Sequence, residues 1–481
     1  MTNNKSQEAI TNLLTMCEKE GIKMVDIKFT DLPGTWQHFT VPIGEFTQEV
    51  FEEGLGFDGS SIRGFQSIED SDMVVVPDPE TGFVDPFTKI PTLSIIAEPM
   101  DPGDGTVKEY DNNPRYIARK AIQYMKDQGI AEEIYIGPEL EFYIFDDARF
   151  GSDGHFASYA LDSSEGHWNG LTEYPEGNLG HRPQFQGGYF PAAPTDSLQD
   201  LRSEMVVELE KLGVVVEKHH HEVGGPGQTE IDIRYEQLLK QADNVMMYKY
   251  VIKNVAWRHN KSVTFMPKPL FEQAGSGMHT HQSLWTDGKP LFSDPSGYAG
   301  ISEMALQYTA GLLQHAPSFL AFGAPTTNSY KRLTPGYEAP VVLEYSKRNR
   351  SAAIRIPMYS QKPKAKRLEF RSADPMANPY LTFAAMLMAG LDGIQNKKDP
   401  GKPHEKDLFE LEGEEAKNLR LVPGSLAEAL DALEADHDYL TRGGVFTEEL
   451  IANYIAYKRK NEVDPIRLRP HPYEFDLYYN G

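Results

Sequence analysis

Glu139 and Glu141 lie inside an otherwise apolar stretch, 134–145, within the run Gly137-Pro138-Glu139-Leu140-Glu141-Phe142. On a β-strand, side chains two apart share a face. Both carboxylates therefore point the same way, about 6–7 Å apart, and Leu140, Phe142 and Ile144 form an apolar opposite face. Like charges side by side repel, so a fold that uses this strand must either leave the pair to solvent at an edge or place a cation beside it. This segment alone leaves both readings open.

Three further segments bear on the choice. In His219-His220-His221-Glu222-Val223-Gly224-Gly225-Pro226-Gly227-Gln228-Thr229-Glu230 the glycines and proline turn the chain, with Glu222 and Glu230 symmetric about Pro226. If the arms pair, these carboxylates become cross-strand neighbours about 5 Å apart. His220 shares a face with Glu222, while His219 and His221 go to the other side. Cysteine ligands are missing and carboxylates dominate, so oxygen-rich ligation of Mg2+ or Mn2+ is favoured over zinc. In Gly275-Ser276-Gly277-Met278-His279-Thr280-His281-Gln282-Ser283, the residues His279, His281 and Ser283 line one strand face, and the glycines let a loop approach a ligand closely. Either histidine alone reads by default as a satisfied strand-end residue. The fourth segment is basic: Tyr330-Lys331-Arg332, Arg348-Asn349-Arg350, Arg355 and the run from Lys362 to Arg371. Alternation there puts Arg367, Glu369 and Arg371 on one face, with Leu368 and Phe370 behind.

The acidic excess gives these arginines weight. Lys plus Arg is 47 against 71 for Asp plus Glu, a formal charge of −24. That balance argues against non-specific binding to nucleic acid or to anionic membranes, and an anionic phosphate or carboxylate would bind where the arginines concentrate. The single cysteine, Cys17, excludes an intrachain disulfide and falls on the apolar face of an expected helix, as a core thiol does. The polar start of the chain lacks the blocks of a signal peptide, and no apolar run approaches the ~20 residues that span a bilayer. A cytoplasmic protein is expected.

A chain of 481 residues should hold two or three domains. Ser6 can cap a first helix carrying Ile10, Leu13, Leu14 and Cys17, which Gly21 stops. Residues 22–43 read as two strands around Asp31-Leu32-Pro33-Gly34, with more strands at 73–76 and 93–98, and so as a small α+β domain. Asn113-Pro114 opens a helix that Gly129 ends. Strands at 134–145, 214–221 and 262–266 then alternate with helices at 198–212, 235–257 and 380–394. Residues 149–190 show little periodicity and read as loop. From Ser425 onward the chain is mainly helical. Gly54-Leu55-Gly56-Phe57-Asp58-Gly59 matches a dinucleotide-binding pattern, but it follows acidic residues rather than a buried strand and does not continue as a helix. There is no P-loop.

Nine segments in order resemble the bacterial type I glutamine synthetases over nearly the whole chain. They are FDGSSIRGF from Phe57, GPELEF from Gly137, GGYF from Gly187, HHHEV with the following GQTE, TFMPKP from Thr264, GSGMHTH, NSYKRLTPGYEAP from Asn328, RNRSAAIRIP from Arg348 and KRLEFR from Lys366. The resemblance implies an α+β chain with a β-grasp-like domain at 1–112. The catalytic domain at 113–481 would carry a curved antiparallel sheet flanked by helices. It implies ligation of ammonia to the γ-carboxylate of glutamate through γ-glutamyl phosphate, with ATP as substrate and two or more Mg2+ or Mn2+ ions per subunit. It also implies a dodecamer of two hexameric rings with active sites between subunits.

Carried over by position, Glu141, Glu222 and Glu230 would hold one metal, and Glu139, His279 and Glu369 another. Glu217, Tyr235, His281, Ser283, Lys364 and Arg367 match ATP-contacting positions. Gly275, Arg332, Arg350 and Arg371 match glutamate-binding ones. Arg355 would face the transferred phosphoryl group, Glu338 would close the site from a flap, and Asp58 would bind ammonium and take its proton in a neighbour's site. Ala274 stands where the family commonly has asparagine, and Gln186 where lysine is often seen. Phe409 stands where regulated members carry the tyrosine that is adenylylated, so no adenylylation is expected there. Rival readings are a γ-glutamylamine ligase of the same fold, a non-catalytic ring-forming relative, and a metal-dependent hydrolase.

Overall fold

The structure, a computed structural model, describes residues 2–66, 69, 71–103, 106–335, 339–405 and 419–481. Glu338 and Phe409 lie outside the described residues. The chain divides into two compact units. One comprises Met1–Ala121, Asn378–Leu381 and Thr441–Tyr454, and the other Ile122–Ala377, Thr382–Leu440 and Ile455–Gly481.

In the first unit a mixed sheet runs in the order Trp36–Pro42, Met24–Thr30, Thr92–Asp101, Asp72–Pro77, Leu55–Asp58. Met24–Thr30 and Thr92–Asp101 pair in parallel and the other neighbours antiparallel. Leu13 and Cys17 of the helix Thr2–Lys19 pack into one core with Val25, Ile27, Leu93 and Ile95 of the two central strands. Ser6 falls inside this helix rather than at its cap. Apolar spacing starts only at Ile10 and carries no information about the earlier turns. The turn at Asp31–Gly34 is as expected, and only glycine fits at position 34. Its φ is +94°, and a Cβ there would sit 2.7 Å from the Asn378 Cα.

The second unit is built on a sheet ordered Val216–His221, Gln228–Ile233, Glu133–Phe145, Met278–Thr286, Leu368–Phe370, Ala352–Ile356, Val342–Lys347. Neighbours are antiparallel except the last pair, which is parallel. Along Glu133–Phe145, the central strand here, side chains alternate between two faces, and from Leu140 onward both faces are buried. Ile136, Leu140, Phe142 and Ile144 are buried, and Phe142 packs on Tyr248 of the helix Leu238–Arg258. Glu139 and Glu141 are thereby turned to the other face. That helix begins after Tyr235 because Glu236–Gln237 first pairs with the central strand.

Two further expectations change. Residues 149–190 contain a hairpin, Asp147–Asp153 with Phe156–Asp162, turning at Gly154-His155. Phe150, Phe156 and Tyr159 on it are all exposed, so no one-sided apolar alternation marks it in the sequence. The turn after the three histidines closes one residue earlier than the symmetric reading, with the Glu222 N–H donating to the Gln228 carbonyl at 2.9 Å. His220, not Glu222, therefore stands opposite Glu230. Among the described residues no helix is long and apolar enough to cross a membrane.

Helices Glu303–Gly323 and Pro379–Gln395 cross at glycines, where a Cβ on Gly311 would meet the Ala389 carbonyl at 2.0 Å and one on Gly393 the Gln307 carbonyl at 2.1 Å. The close crossing brings buried His315 against Asp392. Its Nε2 lies 2.8 Å from Asp392 Oδ2, its Nδ1 2.8 Å from Asp436 Oδ2, and Tyr439 stacks on the ring. Lys398 also pairs with Asp392. Burial pushes the His315 pKa down, but the hydrogen bonds to Asp392 and Asp436 outweigh it and the net shift is upward. A raised folded-state pKa stabilises fully below the unfolded histidine value of ~6.5 and is lost as pH rises through the folded value. His315→Gln should therefore cost on the order of 3 kcal/mol at mildly acid pH, and melting curves across neutral and alkaline pH should show the deficit shrinking as pH rises.

Candidate active site

A cleft of about 650 Å³ opens on the carboxylate face of the large sheet. Five strands contribute lining residues, and the register of the sheet decides which side chains meet. Gln228–Ile233 pairs with the central strand so that Glu230 faces Glu141 and Asp232 faces Glu139. On the other side of the central strand His279 faces Glu139, and beyond it His281 faces Glu369, which in turn faces Arg355.

Two donor clusters result, each with its ligand atoms within 4.8 Å of one another. The first is His220, Glu222 and Glu230, with His220 Nε2 3.2 Å from Glu230 Oε2 and Nδ1 3.5 Å from Glu222 Oε1. Glu141 stands beside it, its Oε2 accepting the Gly277 N–H at 2.9 Å. Burial, then the Glu222 charge, pushes the Glu141 pKa to about 8. Burial followed by Asp232, Glu141, Glu139 and Glu222 pushes Glu230 well above the usual carboxylate range. The second cluster is Glu139, His281 and Glu369. His281 Nε2 lies 2.8 Å from Glu139 Oε1, and His279 Nδ1 3.4 Å from Glu139 Oε2. Burial raises the Glu139 pKa, but His281 and His279 together hold it well below its usual value. Glu369 is fully buried, yet Arg371 at 2.5 Å and Arg355 ion-pair with it and bring its pKa to about 2 against the desolvation. Burial and then Arg371 lower His279 to about 4, so its imidazole is neutral at physiological pH and able to donate a lone pair.

Five of the six residues matched to metal positions, Glu139, Glu141, Glu222, Glu230 and His279, line the cleft, while Glu369 is buried beside Arg355, and the structure adds two histidines to the set. His220 joins Glu222 and Glu230, and His281, matched to ATP, joins Glu139 and Glu369. Crowded carboxylates with raised pKa values, in an oxygen-rich set that also offers imidazole nitrogens, fit hard divalent cations.

The glutamate-matched residues line the same cleft, in different states of engagement. Arg350 and Arg371 reach it, and Arg332 does too, but its guanidinium donates to the carbonyls of Arg371, Ser372 and Ala373 at 3.0–3.2 Å. Gly275 and Gly277 leave room for that side chain, since a Cβ on Gly277 would meet Arg332 Nη2 at 2.4 Å.

The ATP-matched residues sit further out. Arg367 donates from Nε to His281 Nδ1 at 3.1 Å, so His281 joins it to the second cluster. Tyr235 packs edge-on against Tyr135, Ser283 accepts from Trp285, Glu217 pairs with Arg234, and Lys364 is exposed on a 3-10 turn. In the other unit, exposed Asp58 accepts from Ser60 N–H at 2.9 Å and from the Ser60 and Ser61 hydroxyls at 2.6 Å each, bonds that lower its pKa.

Sequence reasoning passed over Tyr359, whose hydroxyl accepts from Arg355 Nη1 at 3.1 Å and also pairs with Arg350. No periodicity marks this loop residue. It also passed over Lys218, which reaches Asp232 at 2.7 Å and is two residues before His220, where alternation would have found it.

The sequence matches the family models "Glutamine synthetase, catalytic domain" over residues 111–478 and "Glutamine synthetase, beta-Grasp domain" over residues 21–102. It is 57% identical over 469 residues to the glutamine synthetase of Frankia alni, and 54% identical over 472 residues to that of Mycobacterium tuberculosis, each alignment covering 98% of both chains. The cryo-EM structure of Plasmodium falciparum glutamine synthetase superposes with a TM-score of 0.89 at 30% identity, covering 98% of both chains. An ADP complex of GmaS does so with a TM-score of 0.80 at 28% identity, covering 98% of this chain and 99% of that one. The chain belongs to the glutamine synthetase family, on the side of the bacterial type I enzymes. Its reaction is the ATP-dependent, metal-dependent synthesis of glutamine, and the γ-glutamylamine ligase alternative is not favoured.

The crowding makes a prediction. In the presence of chelator, Glu230→Gln should melt higher than the parent chain, by about 1 kcal/mol or more, because one buried carboxylate is removed from a repelling group. Added Mn2+ should raise the parent's melting temperature more than the variant's and narrow or reverse the order.

Proposed function

We propose that the cleft takes glutamate and ATP and forms γ-glutamyl phosphate, which ammonia then converts to glutamine. The observation that carries this reading is the adjacency of two donor clusters, one with arginine counter-charges and one without, the latter lining a single cleft and the former reaching it through Glu139. Glu141, Glu222 and Glu230, with His220 beside them, hold one divalent cation, and Glu139, His279 and Glu369, with His281 beside them, another. The metal is Mg2+ or Mn2+. When bound, such ions neutralise phosphate charge and polarise the phosphoryl group.

The chain's own residues do the rest. Arg350, Arg371 and the Gly275 loop hold glutamate, and Arg332 fixes the backbone under them. The γ-carboxylate oxygen attacks the γ-phosphorus, the bond to the ADP oxygen breaks, and Arg355, already beside Glu369, meets the charge on the transferred group. Glu217, Tyr235, His281, Ser283, Lys364 and Arg367 hold the nucleotide. Ammonium gives a proton to Asp58, its nitrogen attacks the acyl carbon, and inorganic phosphate leaves. Glu338 closes the site against water, which would hydrolyse the acyl phosphate. The hydrogen bonds that keep Asp58 ionised support its role in binding the ammonium cation.

Asp58 acts in a neighbouring subunit's site, in a dodecamer of two hexameric rings. The protein is cytoplasmic. The gap between the two family matches, 102 to 111, supports a domain boundary near residue 112.

Hydroxylamine trapping tests the reading. Glutamate with ATP and Mg2+ or Mn2+ should give the hydroxamate, and chelator should abolish it. Arg355→Ala should lose on the order of 10³-fold in rate with assembly intact. Product formed without ATP, or with putrescine in preference to ammonium, would be the contrary result.

A further inference from the structure

The two oxygens of Glu141 are not equivalent. Oε2 accepts the Gly277 N–H at 2.9 Å and the side-chain amide of Gln228 at 3.4 Å, so the coordination left to Glu141 is through Oε1. Gln228 is 1% exposed, and its amide is used at both ends. Its Oε1 accepts the Gly224 N–H at 2.7 Å, in the turn that follows Glu222, and its Nε2 also donates to the Gly275 carbonyl at 3.1 Å. One planar group therefore touches the turn next to one carboxylate, a second carboxylate directly, and the loop assigned to glutamate. Tyr143, further along the Glu141 strand, makes a simpler tie, its hydroxyl donating to the Ala274 carbonyl at 2.6 Å.

We propose that Gln228 is a positioning residue that couples the cation held by Glu141, Glu222 and Glu230 to glutamate bound at the Gly275 loop. The inference rests on the metal and glutamate assignments above. An amide suits the place on chemical grounds. It offers an acceptor to Gly224 and donors to Glu141 and Gly275 from one rigid plane, and adds no charge where Glu141 and Glu222 already repel. A displacement of Glu141 toward a cation is carried by the amide to the Gly275 carbonyl, and the reverse displacement is carried back, so the two ligands strengthen each other equally.

The test uses the full-length assembled enzyme, with Mn2+ binding and line shape read by electron paramagnetic resonance with and without glutamate, and KM measured for glutamate and for ATP. Gln228→Glu keeps the acceptor for Gly224 and deletes the donors, and Gln228→Met deletes both. Tyr143→Phe breaks the Ala274 tie alone. In the parent enzyme glutamate should tighten Mn2+ binding. In Gln228→Glu that tightening should be lost, the line shape should change, and KM for glutamate should rise about 10–100-fold while KM for ATP holds. Tyr143→Phe should raise KM for glutamate and leave line shape and coupling as in the parent. Parent-like coupling in both Gln228 variants, or an equal rise in both KM values, overturns the proposal. So does failure of both variants to assemble, which would make Gln228 a structural residue. A parent enzyme that binds no Mn2+ overturns the cation-site reading itself.

Discussion

Like charge gathered on one face of a buried sheet is the constraint around which the larger unit is arranged. Glu139, Glu141, Glu230 and Asp232 occupy two adjacent strands in direct register. Helix Leu238–Arg258 seals the opposite face, so none of the four can turn away without exposing Leu140, Phe142 or Ile231, all buried. Gathering four carboxylates there is costly even with His281, His220 and Lys218 paired to Glu139, Glu230 and Asp232. The strand order thus places the repulsion before any ligand arrives, and much of the remaining polar structure is a response to it.

The response is uneven, and the unevenness has a chemical meaning. At Glu369 the chain supplies its own cations, Arg355 and Arg371, and the carboxylate is ionised despite complete burial. Among the described residues no guanidinium ion-pairs with Glu141 or Glu230, and both pKa values rise. One half of the cleft carries its own counter-charges, and the other is short of positive charge.

Much of this was legible in the sequence because a period of two is a local property. The shared face of Glu139 with Glu141, of His279 with His281, and of Arg367 with Glu369 and Arg371 follows from alternation alone. Register is not local. The turn after Glu222 closes one residue from where its symmetry suggested, which exchanges Glu222 for His220 opposite Glu230. The hairpin at Asp147–Asp153 and Phe156–Asp162 was missed because both its faces are wet, and Tyr359 because loops carry no period. The expected helices were found to within a few residues because each buries a full apolar stripe.

The glycines of the loop 274–277 show how a correct residue can be noticed for an incomplete reason. Open backbone there suggested close approach to a ligand, and the structure fills that space with Arg332. That guanidinium spends its donors on the carbonyls of Arg371, Ser372 and Ala373, while Glu141 grips Gly277 through both its backbone N–H and its carboxylate. A loop held from two sides in this way has little freedom left to lose when substrate binds, and such preorganisation converts contact energy into affinity and orientation. The repelling carboxylates and the over-tied loop are therefore one arrangement. Packing and hydrogen bonds elsewhere in the unit hold the charges where a cation can bind them, and the same bonds set the geometry of the loop beside it.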